Sequence, residues 1–289
     1  FIVSYDAIAE NPYAMRPKAF IVGLLLIPLV WESLRRTAGW SLTIVFSVFL
    51  AYAFVGHYMP GMLQGVEQKS IDLIAFMGTS EVALIGLPLK IIVLTVVLFI
   101  WMGQMLLYTG ASEWFTDLSA AMMGRSRGGS AKIAVVASSL FGSISGSAVS
   151  NVASTGVITI PLMRQAGYNA KTAAAIEAVA STGGQIMPPI MGAAAFLMAE
   201  LLELSYTEVI MAALIPSFLY YLAVFVQADL EAAKNGISAL PKDRIPPMMR
   251  VMKEGWFFIV PYVVLIYTLF WMNMPPQKAA FWAAISVGV

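Results

Sequence analysis

The sequence predicts an all-α integral membrane protein of polytopic helices, with one re-entrant helical hairpin and one discontinuous transmembrane helix among them. Three observations predict it. Of the 289 residues, 60% are hydrophobic and 11% charged, whereas a soluble domain carries about a quarter charged residues. Several segments have the apolar length needed to cross a hydrocarbon layer of roughly 30 Å. Two further apolar stretches are interrupted near their middles by small, hydroxyl-bearing and proline residues. Such breaks survive in hydrocarbon where the irregular backbone is buried in protein or lines a cavity.

The spanning candidates are Ala19–Leu34 (with Pro28), Ser41–Tyr58, Leu87–Thr109, Thr207–Gln227 and Trp256–Asn273, with another starting at Lys278. Lys and Arg set the orientation, because cytoplasmic loops are enriched in them. With Arg35 and Arg36 inside, 12 of the 17 Lys and Arg residues fall on the cytoplasmic side. This holds provided that the first interrupted stretch enters and returns on one face. Gly61–Gly86 reads as an amphipathic segment at the outer interface. The region 228–255, with Asn235-Gly236 and three prolines, reads as a water-exposed cytoplasmic linker.

The first interrupted stretch covers 132–163. An apolar arm, Lys132–Phe141, leads into the small and polar run Gly142–Gly156, and a second arm, Val157–Met163, leads out. Each arm is about half a bilayer long as helix, which gives a re-entrant hairpin with a polar tip. The second stretch covers 172–204. Its helical start, Thr172–Ala180, meets Ser181–Pro189, and a new helix is expected from Ile190 to Leu204. Gly183-Gly184 loosens the backbone and Pro188-Pro189 removes two donors. Helices that end at such breaks present carbonyls to a cation, and helices that begin there present N–H groups to an anion. The expected arrangement suits cotransport of a cation with an anionic solute. Glu177, flanked by apolar residues, is open to three readings: proton carrier, cation ligand, or a solvated residue at the cytoplasmic end.

Other classes fare worse. Net charge is +1, against the concentrated basic face that nucleic acid requires. With one histidine and no cysteine, thiolate metal sites and Cys–His catalysis are excluded. An intramembrane serine protease built on Ser145 would need a nearby base, and His57 lies in a different region. An ion channel lines its filter with loops repeated around a symmetric oligomer, which a paired hairpin and broken helix fit less well. No phosphate-cradling loop occurs within the chain. The chain is expected to be neither an enzyme nor dependent on a bound cofactor.

The run Gly124–Ser139, the segment Gly142–Gly156 and Ile160–Met163 resemble the large membrane subunit of TRAP transporters. Ala178–Glu200 resembles the TAXI branch of that family, and Arg35–Trp40 with Gly56–Gly61 resembles the join between fused small and large subunits. The resemblance implies a multi-pass permease of a prokaryotic inner membrane, partnered by a periplasmic substrate-binding protein and by small-subunit-like helices of the same polypeptide. It implies uptake of organic anions, such as dicarboxylates or glutamate, driven by Na+ or H+. It also implies an elevator-type fold of two inverted repeats. Residues 1–60 would then end the small-subunit-like region, and 61–289 would hold the first repeat, with the second repeat expected after Val289.

Ser150-Asn151 further resembles the start of the Ser-Asn-Thr hairpin signature of divalent-anion/sodium symporters, although Val152 replaces the third position and Ser154 or Thr155 would have to supply its hydroxyl. The expected cation-binding residues are Ser143, Ser145, Gly146, Ser147, Ser150, Asn151, Thr182, Gly183, Gly184, Gln185 and Met187. Asn151, Ser154, Thr155, Pro188 and Pro189 are expected at the solute. Glu177 is the candidate proton carrier, and no metal beyond transported Na+ is expected.

Overall fold

The computed structural model describes residues 16–80, 82–84 and 86–288. Its elements are helical, and they fall into two compact units, 1–90 and 91–289.

The first unit is built on α1 (Arg16–Val55) and α2 (Ser70–Thr79). Inside α1, Gly39 has φ 76° and ψ −178°, outside any helical conformation. The Trp31 indole donates to Ser47 Oγ at 2.8 Å. Sixteen residues of straight helix would hold these groups about 24 Å apart, so the chain doubles back at Gly39. The two spans expected on either side of residues 35–40 are therefore both present, as arms of one helical hairpin. The first arm meets α2 backbone to backbone. A Cβ on Gly23 would collide with the Ile74 carbonyl, and one on Gly78 with the Gly23 backbone. Ala19 and Ala75 are buried at this contact. Ile21, Leu25, Leu29, Val48 and Phe49 are more than half exposed, a surface that lipid can cover where water cannot.

Helix α3 (Leu87–Tyr108) carries the chain into the second unit and contains a π-helical turn at Ile92–Val96. There follow α4 (Ala111–Met123), α5 (Gly129–Ser145), α6 (Ala148–Gln165), α7 (Ala170–Thr182), α8 (Ala193–Leu201) and α9 (Tyr206–Lys234). The chain ends in α10 (Met248–Gly255), α11 (Val260–Phe270) and α12 (Pro276–Val287). Among the described residues, four helical stretches are long and apolar enough to cross a membrane: Pro17–Tyr58, Leu87–Tyr108, Tyr206–Lys234 and Lys242–Phe270.

The structure moves three sequence-derived boundaries. First, α5 and α6 form a hairpin whose tip shrinks to Gly146 and Ser147. The polar run expected to be irregular is helical, because its hydroxyls bond back into their own helix. Ser143 donates to the Leu140 carbonyl and Ser154 to that of Ser150, so these hydroxyls are not stranded. Second, the restart after the broken helix comes at Ala193, not Ile190. Met191 has φ 59°, a left-handed conformation that a helix cannot contain. Third, the 228–255 linker is not an open loop. Helix α9 continues to Lys234 with Ala228 and Ala232 buried, Ile237 and Leu240 are also buried, and the Leu240 N–H donates to the Gly124 carbonyl at 3.0 Å.

Helix α4 lies along the hairpin and ties it to α10. The Trp114 indole donates to the Val251 carbonyl at 2.8 Å, and Gly255 leaves space for the ring. Trp114→Phe should keep the ring stacking but lose the hydrogen bond, lowering stability by about 1–2 kcal/mol. Detergent-unfolding midpoints would measure it.

Candidate functional site: the hairpin tip and the helix break

Two short glycine contacts position the site. Gly142 in α5 backs onto Gly184 in the break. A Cβ on Gly142 would lie 2.7 Å from the Gly184 Cα and 2.7 Å from the Asn151 amide nitrogen. Two turns of backbone can approach this closely only without side chains between them. One turn further on, Gly146 ends α5 in the left-handed conformation at φ 58°, and its own N–H returns to the Gly142 carbonyl at 3.0 Å. A Cβ on Gly146 would strike the Met191 carbonyl, and one on Gly192 would sit 3.3 Å from the Gly146 carbonyl oxygen. The hairpin tip is thus seated on the broken helix. The Ile190 N–H donates to the Ser143 carbonyl at 3.3 Å, and the Gly192 N–H closes the break on the Gln185 carbonyl at 2.7 Å.

Helix ends of both polarities meet here. Helices α5 and α7 end at Ser145 and Thr182, while α6 and α8 begin at Ala148 and Ala193. Several carbonyls at the ends of α5 and α7 are already held by protein donors. Tyr220 donates to Val179 at 2.6 Å, Tyr221 to Ala180 at 3.1 Å, and Asn151 Nδ2 to Ser181 at 3.3 Å. Tyr262 donates to the Leu140 carbonyl at 2.8 Å, and its oxygen lies 3.2 Å from Ser143 Oγ. Tyr206 donates to the Ile190 carbonyl. These tyrosines escaped the sequence reading, since nothing local distinguishes an aromatic that caps a distant carbonyl from one that packs.

The expected site residues divide by environment. Ser145 Oγ is buried and has no hydrogen-bond partner among the described residues, so it stands at the tip as an uncommitted oxygen. Ser147 caps α6, accepting the Ser150 N–H at 3.3 Å. Gly183, Gly184 and Pro189 are buried, Met187 and Pro188 half-buried, and Thr182 and Gln185 exposed. Asn151 and Thr155 are fully buried and bonded into the scaffold: Asn151 Nδ2 donates to the Ser138 carbonyl at 2.8 Å, and Thr155 donates to Glu177. Ser154 is half-buried, its carbonyl accepting from Ser112 at 3.3 Å.

Glu177 is not solvated. It is fully buried and surrounded by hydroxyls from three helices. Ser138 approaches Oε1 at 3.1 Å, Thr155 at 2.6 Å and Ser181 at 3.0 Å, and Thr159 bonds Oε2. Ser138 and Thr159 belong to the two arms read as apolar, and Ser181 is the first residue of the second polar run. Their signal was the four-residue spacing of Thr155 to Thr159 and of Glu177 to Ser181, which puts each pair on one helix face.

At the base of the hairpin, away from the tip, Lys132 is the other buried charge among the described residues. It pairs with Asp229 of α9 at 2.6 Å and lies 5.0 Å from the centre of the Phe225 ring. Arg127 also pairs with Asp229. A cavity of about 1050 Å³ lies elsewhere and is mainly apolar, lined by residues such as Leu106, Trp256, Phe258, Val264 and Trp282. Its walls suit hydrocarbon, and the lining residues include no charged side chain.

A helical body with a lipid-compatible surface, in which a hairpin docks its tip on an interrupted helix, belongs to the class of membrane permeases. Residues 25–288 match the family described as the tripartite ATP-independent periplasmic transporter, DctM component, and the chain belongs to that family.

Three of its relatives show the range. The sialic acid TRAP transporter large permease protein SiaM of Vibrio cholerae is 25% identical over 187 residues, covering 65% of this chain and 43% of that protein. The C4-dicarboxylate large permease protein DctM of Pseudomonas aeruginosa is 27% identical over 192 residues, 66% of this chain and 44% of that one. The isethionate permease protein DctMQ of Oleidesulfovibrio alaskensis is 29% identical over 199 residues, 66% and 30%. The matched part is less than half the length of each of these relatives. The family and these relatives are transporter permeases, which are not enzymes.

Proposed function

We propose that the chain forms part of the permease of a secondary importer, in which a cation and an organic anion are carried together at the hairpin tip and the helix break. The observation that carries this reading is the seating of Gly146 against Met191 and Gly192. It brings the carbonyl ends of two helices and the N–H ends of two others to one place, which is what paired binding of opposite charges needs. Ser145 Oγ, buried and without a partner among the described residues, is the leading cation ligand. Ser143, Gly146, Ser147, Ser150, Gly183, Gly184 and Met187 are the further candidate ligands, and the N-termini of α6 and α8 serve the anion. On this reading α5 and α6 enter and leave the membrane on one face, and the docked hairpin and broken helix move as a body in an elevator cycle. The resemblance of Ala178–Glu200 supports a TAXI-type permease, with residues 1–60 as the fused small-subunit end.

The relatives' solutes are acids, so a dicarboxylate, sialic acid, isethionate or glutamate is the substrate class, delivered by a periplasmic binding protein to a prokaryotic inner membrane. The coupling ion is Na+ at the tip or H+, for which Glu177 would be the carrier. Uptake of these labelled solutes by the full-length protein and its binding protein in proteoliposomes, under an imposed Na+ and then an H+ gradient, tests the reading. Uptake under neither gradient overturns it. Ser145→Ala removes a candidate ligand without breaking a hydrogen bond. It should therefore leave unfolding unchanged while raising the cation concentration for half-maximal uptake about tenfold, the equivalent of ~1.4 kcal/mol. Unaltered cation dependence would remove Ser145 from the site.

A further inference from the structure

Another pocket, away from the hairpin tip, lies where α3 begins, α8 turns into α9 and α11 turns into α12. Its volume is about 380 Å³, which suits a small molecule and far exceeds a bare ion. Its buried wall includes the Phe196 and Tyr206 rings, stacked with centroids 4.3 Å apart. Four polar side chains also line it: Thr95, Glu200, Asn273 and Gln277. None of them bonds to another side chain or backbone group among the described residues. Thr79, Thr109 and Thr268 each return their hydroxyl to the carbonyl four residues back. Thr95 does not. It lies in the π-helical turn of α3, where the ladder leaves the four-residue spacing, and such turns gather at functional sites.

Charge sets the ligand class. Glu200 is the one charged residue among those lining the pocket, and the neighbouring Lys278 is exposed and outside the lining. Helices α8 and α11 bring their carbonyl ends here, which favour a cation. Helices α9 and α12 begin here, yet their N-termini offer an anion little. In α9 the Glu208 carboxylate already takes the Ser205 N–H at 2.8 Å and its hydroxyl at 2.7 Å. Helix α12 opens on Pro275 and Pro276, which have no N–H. We propose that this pocket binds the ammonium head group of an organic ligand. Glu200 takes its charge, and the free oxygens of Thr95, Asn273 and Gln277 serve its N–H groups. The aromatic wall adds to this, since ring faces attract ammonium groups. Tyr206 joins the pocket to the break, because its hydroxyl donates to the Ile190 and Pro189 carbonyls. A bound head group thus rests on the residue that holds the broken helix. The proposal is independent of which solute or ion is carried.

At the end of a group of spanning helices, the ammonium can come from a lipid head group or from a soluble amine. The test separates the two. Full-length protein in detergent receives phosphatidylethanolamine and phosphatidylglycerol in equal amounts, and native mass spectrometry counts the lipids retained. Wild type should retain phosphatidylethanolamine about fivefold over phosphatidylglycerol, and Glu200→Gln should lose that preference. Thr95→Val, which keeps the charge and the shape, should reduce it about threefold, as one lost hydrogen bond predicts. The second arm follows thermal unfolding in ethanolamine hydrochloride against equal sodium chloride. A midpoint raised in wild type but not in Glu200→Gln, without a lipid preference, assigns the site to a soluble amine. Glu203→Gln removes an exposed acid outside the lining and should match wild type in both arms. No preference and no midpoint shift in wild type overturns the proposal. So does an equal loss in Glu203→Gln, which would mark a general effect of surface charge.

Discussion

Gly142→Val should undock the hairpin from the broken helix and abolish uptake by the full-length protein. Even the first carbon of the new side chain would stand 2.7 Å from the Gly184 Cα. A flexible side chain can swing away from such a contact, but Gly184 offers backbone, already turned into the break. The same carbon would press on Asn151 Nδ2, the donor that joins the Ser138 and Ser181 carbonyls. Overpacking in a close-packed interior costs about 1–3 kcal/mol, and each lost Asn151 bond about 1 kcal/mol more, so a total loss of roughly 3–5 kcal/mol is expected. Gly184→Val should do the same from the other side. Because both variants break one contact, the double variant should be little worse than either alone. Gly236→Ala is the control: a Cβ there would meet nothing within 4 Å, and the φ of 65° leaves only backbone strain, worth about 1 kcal/mol. Unfolding in graded detergent, run alongside uptake, measures all four. Normal uptake by Gly142→Val would show that the docked tip is dispensable.

Asp229→Ala should destabilise the base of the hairpin, chiefly through the Lys132 charge that it strands. The loss lies with Lys132, whose side chain is 8% exposed and whose ion pair is Asp229. Breaking a buried pair by removing one partner costs about 3–5 kcal/mol, chiefly because the other charge stays buried. Asp229 is itself a quarter exposed, so water can reach the vacated position and the loss here should be smaller than for a fully buried pair. Arg127 is more than half exposed, and its loss of Asp229 should add little. The discriminating variant removes both charges. Lys132→Met with Asp229→Leu should recover most of the stability, since a buried ion pair can often be replaced by apolar residues of similar size without loss. If the double variant is as unstable as Asp229→Ala, the damage comes from lost shape and not from stranded charge.

Much of this was legible in the residues. The apolar lengths gave the spans, and the Gly-Gly and Pro-Pro pairs of 183–189 gave the break in the second helix, because glycine and proline act on the backbone locally. The clustering of small and hydroxyl residues in 142–156 marked a hairpin in the first stretch. Its extent was misread because a serine or threonine can either stop a helix or bond back to a carbonyl three or four residues earlier. Which of these happens depends on the neighbours that surround it. Glu177 shows the same limit more sharply. Three readings were open from sequence, and burial removed the solvated one.

What the sequence determined by itself, then, was the solvent of the chain and which of its apolar stretches are interrupted, since hydropathy and backbone freedom are properties of short segments. The tertiary structure decided which stops face each other. The seating of Gly146 on Met191 and Gly192, the closing of four hydroxyls around Glu177 and the capping of Val179 and Ala180 by Tyr220 and Tyr221 all join residues that are distant in the chain. Their partners are chosen by how the helices pack, and no local pattern encodes that choice.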